Sequence, residues 1–322
     1  MRALLIVCAL LIAIVPLAGD AQPGLLTLRL GLSLDDDATA VIYAEHAGLF
    51  RRAGLHVVFE RGGSGAALSA GVLTGRYDIG KAGLVALFDA HLQNAPLVMI
   101  APAGVYDRRA PYAEMVVARG SPIRSPADLD GKRIGAPGAQ SLIAVVSSAW
   151  VDASGGDSKT LRFVETPLAG SEAALAAKRI DAAIMVNPPM AAALAHGSVR
   201  MLGPAMDAVG SRYLFSAWFT SRAWADAHPA VVRSFAEIVA HAATYTNAHP
   251  AETAPMVAAE TGVPLAVVRR MTRVTNGTKL AVEQIQPLLD LSIRYGLVPR
   301  GFFTRDLIYR GLPSPPTARS RS

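Results

Sequence analysis

A unit of alternating strands and helices occurs twice in this sequence, and it constrains the fold more than any other feature. The strands predicted for the first copy lie at 28–32, 55–59 and 77–79, with helices at 39–52 and 64–74. The strands predicted for the second copy lie at 132–136, 160–165 and 181–186, with helices at 141–153 and 171–178. Such alternation favours parallel sheets with right-handed crossovers. The duplication therefore predicts two similar α/β lobes.

Two extended segments, 113–118 and 213–220, are expected to cross between the lobes. Two crossings would bring the first copy and the C-terminal half of the chain into one lobe and form a hinge. We therefore predict lobe 1 at 22–113 and 212–310, and lobe 2 at 114–211. Helices expected to pack on lobe 1 are predicted at 229–247, 251–261, 265–271 and 281–295.

The N-terminus has the order of a secretory signal peptide. Met1 and Arg2 precede an apolar run at 3–15, which is shorter than the roughly 20 residues that span a bilayer. A cut near Ala21 would remove Cys8, the only cysteine, so the mature chain would have neither disulfides nor cysteine chemistry. We expect a protein exported to the periplasm, with a disordered tail at 311–322.

Composition and motifs exclude several function classes. With 52% hydrophobic and 17% charged residues in 322, the chain is too apolar to be disordered. The net charge of +6 comes without a basic stripe or zinc-finger spacing, so no nucleic-acid partner is expected. Gly75-Arg76-Tyr77-Asp78-Ile79-Gly80-Lys81 has the spacing of a phosphate loop, but Ala82 follows where Ser or Thr would hold magnesium. No catalytic residue, metal or cofactor is predicted.

The loops after the predicted strands supply candidate binding residues, because ligands bind beyond the carboxyl ends of parallel strands. Lys81 follows a predicted strand and is expected either to pair with an anion or to be a solvated loop residue. Asp35, Asp36 and Asp37 could receive an amine or a metal, or could be solvated and cap the next helix. Ser64 and Ser141 begin helices whose free N–H groups suit an anion, although each could be a simple N-cap.

Aromatic and amide side chains complete this set. Tyr106, Tyr213 and Trp218 could stack on a planar ligand, and Trp218 could instead belong to the hinge core. Asn187 offers hydrogen bonds in both directions before a Pro pair, or marks a simple turn.

Several strings resemble one known family. They are Tyr43-Ala44-Glu45-His46-Ala47-Gly48-Leu49-Phe50, Ala53-Gly54-Leu55, Gly75-Arg76-Tyr77-Asp78-Ile79-Gly80, Ser121-Pro122-Ile123, Asp128-Leu129-Asp130-Gly131-Lys132 and Thr246-Asn247-Ala248. They are similar to the nitrate/sulfonate/taurine-type, NMT1/THI5-like substrate-binding proteins of ABC transporters. This resemblance implies an α/β, type II periplasmic-binding-protein fold, with two lobes joined by a two-strand hinge.

The resemblance also implies a function and a site. The function would be capture of a small anionic organic solute by hinge closure and its delivery to an ABC transporter permease, by a monomer. The residues to which the family's ligand-binding positions carry over are Asp36, Asp37, Gly63, Ser64, Lys81, Ala82, Gln140, Ser141 and Asn187.

Three alternatives remain open at this point. One is a pyrimidine-binding protein, although Asp35-Asp36-Asp37-Ala38 replaces the aromatic-Pro-Asn string of pyrimidine binders and the cysteine-rich motif of the synthases is missing. Another is an enzyme in which Lys81 forms a Schiff base with pyridoxal phosphate. The third is a sensor domain. For the importer, Lys81→Ala is expected to weaken an anionic ligand and to leave thermal stability nearly unchanged.

Overall fold

The computed structural model describes residues 24–33, 35–138 and 141–312. The predicted signal peptide with Cys8, the candidate Gln140 and the tail from 313 lie outside the described residues.

The strands form three sheets. In chain order they are β1 Leu26–Leu32, β2 Leu55–Arg61, β3 Ile79–Gly83, β4 Leu97–Pro102, β5 Gly104–Asp107, β6 Ala113–Ala118, β7 Arg133–Ala136, β8 Arg162–Glu165, β9 Ala182–Val186, β10 Val199–Gly203, β11 Arg212–Leu214, β12 Ser216–Ser221 and β13 Thr275–Asn276. The first sheet has the order β2-β1-β3-β12-β4, and the second has the order β10-β6-β9-β7-β8. The third is small, with the order β11-β5-β13.

The two large sheets are equivalent. In the first, β1 pairs in parallel with β2 and β3, and β12 runs antiparallel beside β3. In the second, β7 pairs in parallel with β8 and β9, and β6 runs antiparallel beside β9. The predicted duplication into two α/β lobes is confirmed by this common strand order.

An arginine–aspartate pair recurs at the same place in each lobe. Arg29 of β1 donates its backbone N–H to Asp78 at 2.8 Å, and its guanidinium donates to both oxygens of that carboxylate. Arg133 of β7 makes the same bonds to Asp181, with the backbone bond at 2.9 Å. Bidentate arginine–carboxylate bonds fix geometry as well as adding energy. The aspartate that precedes the third strand therefore fastens that strand to the first in both lobes.

The helices cover the faces of the sheets. They are α1 Thr39–His46, α2 Leu49–Arg52, α3 Gly65–Leu73, α4 Leu84–Leu92, α5 Leu142–Ala153, α6 Ser171–Ala176, α7 Pro189–His196, α8 Arg222–Ala227, α9 Pro229–Ala248, α10 Pro250–Thr261, α11 Leu265–Val268 and α12 Val282–Arg294. The helix predicted at 39–52 is broken between α1 and α2, where Gly48 adopts a positive φ of 67°. A left-handed residue interrupts helical hydrogen bonding, and glycine adopts it without a steric cost.

The hinge differs from the predicted one. The segment expected at 113–118 is β6, a strand inside the second sheet, and the segment expected at 213–220 is divided between β11 and β12. Strands β5 and β11 pair with each other in antiparallel orientation, and β13 pairs with β5. In the chain, β5 and β11 each connect a strand of one large sheet to a strand of the other. Periodicity alone could not distinguish a crossing strand from a sheet strand, since both are extended and apolar.

The C-terminal helices contact both lobes, although they were expected to pack only on lobe 1. Leu291 of α12 packs with Val145 and Ala149 of α5. The Tyr295 hydroxyl donates to Asp152 Oδ2 at 2.8 Å beside this contact. In addition, α11 contacts α7 of the second lobe. In contrast, α9 buries Val232, Phe235 and Val239 in the core around β1 and β4 of the first lobe.

Candidate functional site

Polar groups from both lobes meet at segment 272–274. The Val274 backbone N–H donates to Asp36 Oδ2 at 2.6 Å, in the loop that follows β1. The Thr272 carbonyl accepts a 2.8 Å hydrogen bond from Asn187 Nδ2, in the loop that follows β9. Because ligands of open α/β sheets bind beyond the carboxyl ends of parallel strands, these loops define a candidate cleft.

Lys81 lies at the centre of a buried ionic cluster in lobe 1. Its side chain is only 3% exposed, and its ammonium donates hydrogen bonds to Asp35 and to Asp37. The Ser216 hydroxyl donates to Asp37 Oδ2 at 2.5 Å and accepts the Gly104 N–H at 2.9 Å. The expectation of a lysine free to pair with an anion, or free in solvent, is corrected here. Strand β3 continues to Gly83, so Lys81 lies within it, beside two carboxylates.

The two carboxylates of this cluster have different protonation equilibria. Burial and the nearby Asp37 charge raise the pKa of Asp35 to about 7, although Lys81 opposes the shift. Burial also disfavours ionisation of Asp37, but Lys81, Asp35 and Ser216 outweigh it and lower the pKa of Asp37 to about 2. The pKa of Lys81 is raised, because attraction to both carboxylates exceeds the cost of burial. Asp37 and Lys81 are therefore charged at neutral pH, whereas Asp35 exchanges its proton there.

Asp36 belongs to a separate ion pair. Its Oδ1 accepts Arg273 Nε at 2.7 Å and the Thr39 hydroxyl at 3.0 Å, and its side chain has no exposed surface. Burial raises the pKa of Asp36 against the opposing effects of Arg273 and the Val274 N–H. Asp36 and Asp37 were also considered as solvated residues, but they are 1% and 8% exposed. The expected capping is also absent, because no side chain caps the N-terminus of α1.

Tyr112 is a site residue that sequence analysis missed. Its ring stacks on Phe215 with centroids 4.7 Å apart, next to Ser216 in the chain. The residue is 4% exposed, and its hydroxyl makes no hydrogen bond within the described chain. Burial, Tyr213 and the charges of Asp37 and Asp35 raise the pKa of this hydroxyl well above its ordinary value. Its hydroxyl is therefore within electrostatic reach of the Lys81 cluster.

Asn187 uses its amide in both directions, as its position suggested. In addition to the bond to Thr272, its Oδ1 accepts the Ala191 N–H at 3.1 Å in the first turn of α7. Its backbone N–H donates to the Tyr112 carbonyl at 2.9 Å. Asn187 is 3% exposed, and it joins the hinge, α7 and the C-terminal segment.

The candidates at helix starts have structural roles in this conformation. Ser64 Oγ accepts the Ala67 N–H at 3.3 Å, and Ser141 Oγ accepts the Ala144 N–H at 3.3 Å, so both are N-caps. Ala82 is 5% exposed and packs in the core around α3 and α4. Gly63 is exposed, with open space around its Cα.

The candidate stacking residues lie in cores. Tyr106 is fully buried and donates its hydroxyl to Asp207 Oδ1 at 2.7 Å. Tyr213 is fully buried as well, and its hydroxyl donates to the Met206 carbonyl at 3.1 Å. Trp218 is 1% exposed and packs edge-on against Phe235 in lobe 1. None of these three rings has a free face for a ligand, so the expectation that they stack on one is corrected.

Three further polar residues were also missed. Arg273 donates a hydrogen bond to Asp36, and Ser216 donates one to Asp37. Both donors are far from the aspartates in the chain. Glu114 is 8% exposed and has no hydrogen bond within the described residues; burial and Asp207 raise its pKa to about 7. No local spacing marks these residues, because only the tertiary fold brings them together.

Within residues 24–33, 35–138 and 141–312, no group of three or more His, Cys, Asp or Glu residues is arranged to hold a metal ion. No helix within those ranges has both the length and the apolar character needed to cross a membrane.

Solved structures share this fold. The alkanesulfonate-binding protein SsuA from Xanthomonas axonopodis pv. citri bound to MOPS is 22% identical, with 88% of this chain and 98% of that chain aligned and a TM-score of 0.74. The periplasmic aliphatic sulphonate binding protein SsuA from Escherichia coli is 20% identical, with 88% and 92% aligned and a TM-score of 0.70. The periplasmic nitrate-binding protein NrtA from Synechocystis PCC 6803 is 14% identical, with 90% and 87% aligned and a TM-score of 0.72. No curated protein matches the sequence.

The family model described as NMT1/THI5 like matches residues 35–253, more than half of the chain. The match begins after β1 and includes the rest of the first copy of the repeated unit, the whole second copy and the hinge strands β5 and β11. It confirms the resemblance seen in the sequence strings. The chain belongs to the NMT1/THI5-like family and has the two-lobe fold of the periplasmic binding proteins of ABC importers.

Proposed function

We propose that this protein is the solute-binding component of an ABC importer. It binds one small organic solute between its lobes, closes about the hinge strands β5 and β11, and delivers the solute to a membrane permease. The observation that carries the proposal is the buried cluster of Lys81, Asp35 and Asp37, at the carboxyl end of the first sheet and near the hinge. Family membership and the fold support the same role.

Closure follows from contacts that differ between the open and closed states. A ligand that touches both lobes stabilises the closed arrangement by its additional contacts there. Asn187 lies on the lobe 2 side of the candidate cleft, and its backbone N–H donates to the carbonyl of Tyr112, in the segment that leads from the hinge strand β5 into β6. We further propose lobe boundaries at 22–113 with 212–310, and at 114–211, and action as an exported monomer in the periplasm.

From sequence, Lys81 and the helix starts at Ser64 and Ser141 suggest an anionic solute, but in the structure Lys81 lies in an ionic cluster. Its ammonium is already bonded to two carboxylates, so an anion there would be repelled by Asp35 and Asp37. Sulfonate and nitrate are the ligands named for the neighbours SsuA and NrtA, and an anion remains a candidate through the helix ends at Ser64 and Ser141.

The Schiff-base enzyme has less support. A lysine must be neutral to attack an aldehyde. The two carboxylates hold the Lys81 ammonium in its charged form and raise its pKa. Incubation of the protein with pyridoxal phosphate and measurement of its absorbance would detect an adduct; we expect none at Lys81.

A two-step experiment tests the binding role. A thermal-shift screen over amines, carboxylates, sulfonates, nitrate and pyrimidines identifies compounds that raise the melting temperature. Small-angle scattering then measures the radius of gyration with the strongest stabiliser. We expect one compound class to raise the melting temperature. With its strongest member, we expect the radius of gyration to stay the same or to fall. If no compound raises the melting temperature, or if the strongest binder increases the radius of gyration, the proposal fails.

A further inference from the structure

We propose that the solute carries a protonated amine, and that this group binds Asp35 and the Tyr112 hydroxyl in the cleft. The inference rests on the proposed function and names the chemical class of its ligand. Two independent observations carry it: a charge imbalance in the Lys81 cluster, and a tyrosine hydroxyl near that cluster that makes no hydrogen bond within the described structure.

The Lys81 cluster contains more acidic groups than basic ones. One ammonium, that of Lys81, faces the carboxylates of Asp35 and Asp37. Arg273 cannot compensate, because its guanidinium is already paired with Asp36. With both carboxylates ionised, the cluster has one negative charge in excess. The excess falls on Asp35, which is only partly solvated, so a cation that supplies the balance would be bound favourably.

Asp35 is the member of the cluster that a ligand can reach. Its side chain is 35% exposed, whereas those of Asp37 and Lys81 are 9% and 3% exposed. Asp35 Oδ2 accepts the Ser33 hydroxyl at 2.9 Å, and Oδ1 accepts the Lys81 ammonium. An ionised carboxylate has about four lone-pair positions, so each oxygen can accept a further N–H bond.

The Tyr112 hydroxyl supplies a second polar contact for the same group. The Tyr112 residue is 4% exposed, its hydroxyl makes no hydrogen bond within the described chain, and its ring is held against Phe215. A hydroxyl oxygen can accept an N–H bond from a ligand that reaches it. An amine between Asp35 and Tyr112 would satisfy both groups at once.

The cluster selects against an anion at this point. A sulfonate or carboxylate close enough to bond Lys81 would lie near two carboxylates that already hold its ammonium. Like charges at such distances repel by several times the thermal energy, even at an effective dielectric constant of about 20. The same geometry that attracts an amine therefore disfavours an acid.

Protons compete with the amine for Asp35. The groups that face this carboxylate are Asp37, Lys81 and Ser33, with Tyr112 nearby. An amine binds the ionised form, so its affinity should fall about tenfold for each pH unit below the pKa of Asp35, which is about 7. Asp35→Asn should remove this dependence.

The test uses solutes that share one alkyl chain and differ in their head group. Butylamine, butanesulfonate, butyrate and butanamide are titrated calorimetrically, together with amino alcohols, diamines and amino acids. We expect amines to bind the wild-type protein and to lose at least tenfold in affinity with Asp35→Asn. The exposed Asp89 on α4 gives a matched control, since Asp89→Asn should change nothing.

A second pair of variants tests the hydroxyl. Tyr112→Phe should lower amine affinity severalfold and keep the ring stack with Phe215. Tyr245→Phe makes the same change in a tyrosine of α9 whose hydroxyl is already bonded to Glu252, and should leave the affinity unchanged. If sulfonates or carboxylates bind and no amine does, the inference is overturned and the solute-binding role stands. If no solute of any class binds, both fail.

Discussion

Asp36 and Arg273 form a buried ion pair, with Arg273 Nε 2.7 Å from Asp36 Oδ1. The pair joins the loop after the first strand to a segment near the end of the chain, 237 positions away. The Val274 N–H bonds the other oxygen of the same carboxylate. This contact fixes the backbone between Asp35 and Asp37, and so positions both carboxylates around Lys81.

Arg273→Ala should destabilise the protein by about 3 kcal/mol, because it leaves the Asp36 carboxylate buried without its cation. Urea unfolding monitored by circular dichroism measures this loss. Arg76→Ala is the matched control, since Arg76 is 65% exposed in its ion pair with Glu60 and should cost at most about 1 kcal/mol. Equal losses in the two variants would contradict a structural role for the buried pair.

Lys81→Ala should also be strongly destabilising, by about 3 kcal/mol or more, because two carboxylates lose their shared cation. This reverses the expectation from sequence that the change would leave stability nearly unaltered. The double variant Lys81→Ala with Asp37→Asn should recover part of the loss, since it removes charge of both signs. Unfolding curves of the single and double variants measure the coupling; additive losses would argue against direct pairing.

Glu114→Gln should stabilise the protein at pH 8 and have no effect at pH 4. The folded-state pKa of about 7 lies above the ordinary value of 4.5, so the folded state binds more protons between these pH values. Stability contributed by Glu114 is therefore lost as pH rises from about 4.5 to 7. We expect a gain of about 2 kcal/mol at pH 8 by urea unfolding. A gain that is the same at both pH values would contradict burial of an ionisable carboxyl.

Trp218→Phe should lower stability by about 1 to 2 kcal/mol and leave solute affinity unchanged, because Trp218 packs in the core of lobe 1. Thermal unfolding and calorimetric titration with the strongest binder of the solute screen measure the two effects. A large loss of affinity would restore Trp218 as a ligand contact.

The fold could be predicted because its signals are local and occur twice. Alternating periodicity identified the strands of both units. Gly31 and Gly135 occupy equivalent positions in β1 and β7, where an added Cβ would lie 2.4 Å from Tyr77 and 2.6 Å from Ile180. Such close approaches favour glycine, and they recur because the architecture is duplicated.

The site was harder to predict, because its contacts are not local. Asp35, Asp36 and Asp37 are adjacent in sequence, yet they divide between two cations, Lys81 and Arg273. Three consecutive acidic residues are typical of a solvated loop, and only the tertiary partners allow their burial. Strand ends are also poorly defined by periodicity, so Lys81 was placed after β3 instead of within it.

Hydrogen–deuterium exchange with and without the strongest binder of the solute screen tests the central claim most directly. The account predicts simultaneous protection of the aspartate loop at 35–38, the end of β3 near Lys81 and the loop around Asn187, on both sides of one cleft. Protection confined to a single lobe would contradict it. One such result is protection only around the surface pocket of about 320 Å³ that Arg61 and Arg76 help to line.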